Sequence, residues 1–190
     1  MTHNSTDLRV IKTKANIQMA MLALLERKRF EDISITEIAD IALVGRATFY
    51  RYYEDKYILL KTMLTERIYP LASQFPTANT GNISEMYPDW LALFTHIADS
   101  ESFYRAILCN NGSLSIRIFL EETIGNILHD RFQASIPDQR DGIPPEVHAQ
   151  YIISAFLGIT AWWLKNNLPY PPEKMARWTM DLLMNGAMKE

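Results

Sequence analysis

The sequence predicts an all-α protein, and three observations carry that expectation. Apolar residues recur at three- and four-residue intervals through nearly every long segment. No strand-like alternation bounded by turn signals occurs, and no internal repeat is evident. Between residues 34 and 57, two short helical segments flank a tight turn. That is the layout of a helix-turn-helix whose second helix enters the DNA major groove.

With 48% hydrophobic and 22% charged residues, the 190-residue chain has the balance of a globular protein and not of a disordered tail. The net charge of −3 hides an asymmetry: residues 1–67 hold 11 Lys and Arg against 9 Asp and Glu. An N-terminal unit of net +2 beside a body of net −5 suits a protein that meets phosphates at one end. Cys109 is the lone cysteine, so no internal disulfide can form; with Ala106-Ile107-Leu108 before it, it reads as a small buried hydrophobe. The polar N-terminus carries no signal peptide, and no apolar run approaches the ~20 residues a membrane span needs. A cytoplasmic protein that does not enter the membrane is expected.

Arg9 to Lys28 reads as the first helix, with Ile17, Ala20, Met21, Leu24 and Leu25 on one face. Arg9, Lys12 and Lys14 cluster at its start, where the helix dipole disfavours cations. They are either a solvated face or an arm that touches phosphates. Arg27, Lys28 and Arg29 stand at the favourable end and need no functional account. Ser34 with Glu37 forms a capping box for the second helix, whose packed stripe is Ile35, Ile38, Ala39 and Ala42. Leu43-Val44-Gly45 is the turn, Arg46 to Tyr53 the third helix, and Glu54-Asp55 its stop. Lys56 to about Leu71 is a fourth helix with Tyr57, Leu60, Leu64 and Ile68 on one face. Residues 70–89, with Pro70, Pro76, Gly81 and Pro88, read as a linker. Further helices are expected near 87–98, 100–110, 114–135, 145–168 and 172–187. Pro145 and Pro172 fall in first turns, where proline is tolerated.

At about 100° per residue, with Arg46 at zero, Phe49 and Tyr53 lie near ~300° and ~340° and form an apolar seam. Ala47, Arg51 and Thr48 lie opposite, with Tyr50 and Tyr52 flanking the seam. An arginine matches the guanine O6/N7 edge, hydroxyls reach phosphates, and alanine permits close approach. The expected DNA contacts are Thr36, Arg46, Ala47, Thr48, Tyr50, Arg51, Tyr52 and Lys56. Lys56 is expected to meet a phosphate at the start of its helix.

Ser34 to Leu60 resembles the DNA-binding domain of the TetR/AcrR family of bacterial transcriptional regulators. The resemblance rests on Ile38-Ala39, Val44, Arg46, Thr48-Phe49-Tyr50, Tyr52-Tyr53 and Lys56, aligned without gaps, and on Ile17, Ala20, Leu24 and Phe30 upstream. That family usually has Gly where Leu43 stands and Ser or Thr where Gly45 stands. Leu43 is therefore expected to strain a turn that prefers positive φ, and Gly45 to cap its helix less well. Phe103 to Leu108 with Asn111-Gly112, and Trp162 to Asn166 with Pro169-Tyr170 and Pro172 to Ala176, resemble the C-terminal subtype that includes regulators of dihydroxyacetone kinase operons.

The resemblance implies a DNA-binding domain over 1–55 and a helical connector, effector-binding and dimerisation domain over 56–190. It implies a homodimeric repressor that binds a double-stranded operator and is released by a small-molecule effector. A co-regulator of the same fold controlled by a protein partner is the alternative. Dimerisation through the last two long helices would involve Tyr151, Ala155, Phe156, Ile159, Trp162, Trp163, Met175, Trp178 and Leu182, and two readers would meet half-sites ~34–36 Å apart. Met86, Trp90, Phe94, His96 and Phe119 are candidates to line an effector cavity. No cofactor or metal site is expected: His96, His129 and His148 have no close ligand partners. With no phosphate loop and no nucleophile elbow, an enzyme is not expected either.

Overall fold

A computed structural model describes residues 3–72, 87–109, 114–132 and 144–185. Among them are nine α-helices and no strand, the all-α fold that the periodicity predicts. They are α1 (His3–Leu25), α2 (Ile35–Ile41), α3 (Arg46–Tyr52), α4 (Lys56–Ala72), α5 (Tyr87–Asp99), α6 (Glu101–Leu108), α7 (Leu114–Phe132), α8 (Pro145–Lys165) and α9 (Pro172–Asn185). A single 3-10 turn, Phe30–Asp32, leads from α1 towards α2.

One continuous apolar cluster runs from Ile17 on α1 to Ala176 on α9. Ile17, Ala20, Met21, Leu24 and Leu25 bury the predicted face of α1. α4 packs against α1 on one side and α7 on the other, so it links the N-terminal helices to the body. In the body α9 lies along α5, while α8 packs on α6 and α7. Phe94 of α5 is wedged edge-on between Phe156 (5.6 Å) and Trp163 (5.4 Å) of α8. Cys109 is half-buried between α6 and α8, its Sγ 3.6 Å from the Ala161 carbonyl oxygen.

The sequence expectations need three corrections here. The linker is shorter than 70–89 at both ends: Pro70 lies within α4, which runs on to Ala72, and Pro88 lies in the first turn of α5. Pro88 stands in the first turn, where the N–H that proline lacks would have no partner within the helix, whereas Pro70, in the last turn of α4, gives up an N–H that would bond one turn back. Residues 73–86 lie outside the described residues. The first helix also starts earlier than expected, at His3, without an acidic residue in its first turn. Finally, Glu146–Lys165 is long and apolar enough to cross a membrane by length and composition, with a mean hydropathy of 1.2. In this fold it is a packed helix, with Ile152, Ile153, Phe156, Leu157, Thr160, Trp163 and Leu164 buried.

Candidate nucleic-acid interface

α2 begins with the predicted capping box. The Glu37 backbone N–H donates to Ser34 Oγ at 3.2 Å, while the Ser34 N–H and hydroxyl donate to Glu37 Oε2 at 3.0 and 2.9 Å. Lys28 adds a 2.6 Å ion pair to Glu37 Oε1. These donors, Lys28 foremost, hold the Glu37 carboxyl down to about 2, well below its usual 4.5. Lys28 is thus committed to fixing the start of α2.

The turn explains how a leucine stands where glycine is usual. Ala42 caps α2, and Leu43 follows at φ 55°. The Leu43 N–H donates to the Asp40 carbonyl at 3.2 Å and the Val44 N–H to the Ala39 carbonyl at 3.0 Å. Those two bonds define a Schellman motif, whose first residue past the cap must be left-handed. Leu43 meets that demand at a steric cost and leaves its side chain 91% exposed. Gly45 then caps α3 in extended conformation, φ −73° and ψ 151°, with no side-chain hydrogen bond. Both departures noted in the sequence have the expected structural consequence.

α3 is seated by Phe49 and Tyr53, both buried as the helical wheel requires. Arg46, Ala47, Tyr50 and Arg51 are exposed, and Thr48 and Tyr52 are half-buried. The open arc is therefore narrower than expected and centred between Arg46 and Arg51. On its Tyr52 side α1 closes in, with Lys14 Nζ 6.0 Å from the Tyr52 ring centroid. Tyr50, 55% exposed, stands edge-on against Phe49 at 5.7 Å, so its ring is braced from the core. Thr36 lies exposed in the first turn of α2. The basic start of α1 is helical, and Lys14 belongs to the support of α3.

Lys56 corrects its assignment as a free phosphate ligand. Its Nζ donates to the carbonyls of Phe30 (2.8 Å), Glu31 (2.7 Å) and Ile33 (2.8 Å). The ammonium also sits 4.9 Å from the Phe30 ring centroid. An ammonium has three N–H donors, and all three are used. Burial lowers its pKa, opposed by Glu31, Asp32 and Glu37. Lys56 pins the start of α4 to the 3-10 turn. Asp55 Oδ1 completes the joint by accepting from the Ile58 N–H at 2.8 Å.

Gln18, which the sequence reading did not single out, is a second brace. Its Nε2 donates to Tyr53 Oη at 3.4 Å and to Glu66 Oε2 at 2.8 Å, joining α1, the end of α3 and α4. The four-residue spacing of Lys14 and Gln18 on one face of α1 was the available signal.

The expected cavity residues that the structure describes take these positions. Trp90 and Phe94 are core, packed on Phe156 at 5.5 and 5.6 Å. His96 faces α6, with Nε2 3.0 Å from Tyr104 Oη. Phe119 lies 6.2 Å from Tyr57 of α4. Met86 lies outside the described residues. The expected dimer residues divide likewise. Phe156, Trp163 and Met175 are buried within the chain, in its core. Tyr151 (56% exposed), Trp162 (49%), Trp178 and Leu182 are open, with Ala155 and Ile159 half-buried between. Tyr170 links the open aromatics, stacked 6.4 Å from Trp162 and edge-on 4.8 Å from Trp178.

Known proteins resemble this chain in sequence and in fold. A sequence family described as the C-terminal region of TetR transcriptional regulators matches residues 84–185, which include both body segments quoted above. The HTH-type transcriptional regulator YxbF of Bacillus subtilis (strain 168) is 25% identical over 185 residues. That alignment covers 93% of this chain but 46% of YxbF, so the chain spans about half the length of this curated relative. A TetR transcriptional regulator from Streptococcus agalactiae 2603V superposes with a TM-score of 0.71 at 20% identity, covering 94% of this chain and 97% of that one. FadR of Bacillus subtilis, solved with stearoyl-CoA, superposes at 0.65 with 16% identity over 92% and 99% of the two chains.

Proposed function

The chain belongs to the TetR family of transcriptional regulators, and from that premise we propose that it is a homodimeric, cytoplasmic repressor released from its operator by a small-molecule effector. Membership makes it a regulator and not an enzyme. Residues 1–55 read DNA in this proposal, and residues 56–190 connect, dimerise and hold the effector.

The observation that carries the DNA reading is the arc on α3. Arg46, Ala47, Tyr50 and Arg51 face outward while Phe49 and Tyr53 anchor the helix from behind. Arg46, in the first turn, is placed to enter the groove first and pair with a guanine edge. Ala47 lets the backbone approach, while Tyr50 and Arg51 meet the groove walls and phosphates. Thr36 and the half-buried Thr48 and Tyr52 complete the contact at its margins.

A single short helix reads few base pairs, so a twofold partner is needed for specificity. The open residues Tyr151, Trp162, Trp178 and Leu182, bridged by Tyr170, supply an apolar surface suited to pairing with its own copy. FadR of Bacillus subtilis, of like fold, binds stearoyl-CoA, which supports a small-molecule effector for this body too. Such an effector acts only through different affinities for the DNA-bound and released forms, typically a coupling of ~1–3 kcal/mol.

In vitro selection from random duplex DNA with the full chain tests the proposal. The expected result is a palindrome with half-sites about one helical turn, ~34–36 Å, apart. Enrichment of no sequence, or of a lone asymmetric half-site, would contradict it.

A further inference from the structure

Two residues of the turn between α2 and α3 cost the free protein stability. Leu43 occupies φ 55°, a conformation that a Schellman motif favours in glycine and that a Cβ enters only at a steric penalty. Its side chain is 91% exposed, more than any other large hydrophobic residue among those described, so no packing offsets the penalty. Two residues on, Gly45 caps α3 without a side-chain hydrogen bond, where Ser, Thr, Asp or Asn would supply one. Nothing in the free protein demands glycine there: φ is −73°, and a Cβ would meet nothing within 4 Å. Local rules broken directly ahead of the helix that reads DNA point to a contact made only in the complex.

The placement of the two residues says what that contact is. Val44 turns inward, half-buried against the core, and leaves Leu43 on the outside with Gly45, Arg46 and Ala47. From Leu43 to Arg46 is three residues, at most ~10–11 Å of chain, or about three base-pair steps of ~3.4 Å. Gly45, between them, puts no side chain in the way of the backbone's approach to the groove. The base edges of the major groove offer an aliphatic side chain one apolar partner, the C5-methyl group of thymine.

We propose that Leu43 is a specificity-determining residue whose side chain, held outward by the left-handed turn, packs on a thymine C5-methyl group beside the base that Arg46 reads. The proposal rests on the DNA reading above and adds an apolar base contact to its polar ones. Burial of Leu43 against that methyl group offsets, in the complex, the strain that the free turn carries.

The test uses the full chain and the operator obtained by selection. Each thymine of one half-site is replaced in turn by deoxyuridine, which removes only the methyl group, and affinity is measured at fixed salt. Wild type is expected to lose about fourfold at one thymine or more, the factor that burial of a single methyl group gives. At one such position Leu43→Gly should bind both forms as weakly as wild type binds the deoxyuridine form. Its preferences elsewhere and its salt slope should stay near wild type. Its unfolding midpoint should be no lower than that of wild type, so the lost affinity is not lost folding. Leu43→Ala keeps a Cβ in the left-handed turn and should lose the same methyl effect, which separates the missing side chain from a loosened turn. A wild type indifferent to every thymine methyl, or a methyl effect of full size in Leu43→Gly at every sensitive thymine, would overturn the proposal and leave the DNA reading standing. Enrichment of no operator would overturn both.

Discussion

Replacing Lys56 by Met keeps the apolar stem and removes the ammonium. Three carbonyls then lose a donor at 2.7–2.8 Å. They are not equal. Glu31 O is exposed and returns to water, while Phe30 O still accepts from the Ile33 N–H at 3.2 Å. Ile33 O, part-buried, loses most. Hydrogen bonds from a charged donor contribute about 1.5–3 kcal/mol each, and the contacts here are only partly buried. The whole joint is therefore expected to be worth about 2–4 kcal/mol, or a fall in Tm of about 5–12 °C for a chain of this size. Chemical denaturation of both proteins at one concentration should show a lower midpoint with an unchanged slope. A second readout separates this joint from a phosphate contact. Where the variant remains folded, the dependence of log K for DNA on log salt should match wild type, whereas losing a phosphate contact flattens that slope by ~1. Stability within ~0.5 kcal/mol of wild type, or a flattened slope in a folded variant, would refute the reasoning.

The turn, its neighbours and the open face of α8 give four further predictions. Leu43→Gly removes a left-handed penalty of about 1–2 kcal/mol against ~0.5–1 of added chain entropy, and the exposed leucine packs on nothing, so a gain of about 1 kcal/mol is expected by denaturation. Gly45→Ser should gain about 0.5–1 kcal/mol, since a Cβ there meets nothing within 4 Å and the hydroxyl can cap α3. A loss of stability in either would show that the turn geometry is misread. Glu37 titrates at about 2 in the fold against 4.5 when free, so its contribution is present above 4.5 and disappears as pH falls towards 2. Glu37→Gln should make stability less steep in pH over that window, and an unchanged profile would deny the capping role. Trp162→Glu should dissociate the dimer, costing ~2–4 kcal/mol at the interface, with helical content intact. Sedimentation that still gives a dimer would remove this face from the interface.

How far the sequence could be read depends on whether the cause was local. The capping box, the turn and the seam of Phe49 and Tyr53 depend on neighbours within a few residues, and the fold reproduces them. Pro70 was read both as part of a helix ending near Leu71 and as the start of a linker, because a proline near a helix end carries both signals, and the helix runs on to Ala72. The role of Lys56 was not legible, since its acceptors lie 23 to 26 residues upstream. On α8 the apolar residues supply two faces. Which face is core depends on where α5 and α7 fall, so Phe156 and Trp163 could not be told from Tyr151 and Trp162. The Arg67–Phe103 stack, between helices distant in sequence, left no signal at all.

The central claim is that α3 reads bases through Arg46. It is tested most directly by measuring, at fixed salt, the affinity of wild type and Arg46→Ala for the selected operator and for operators substituted at each position of one half-site. The variant is expected to lose ~1–3 kcal/mol of discrimination at a single guanine per half-site, with its preferences at other positions and its salt slope near wild type. An Arg46→Ala protein that ranks every substituted operator as the wild type does would contradict the account.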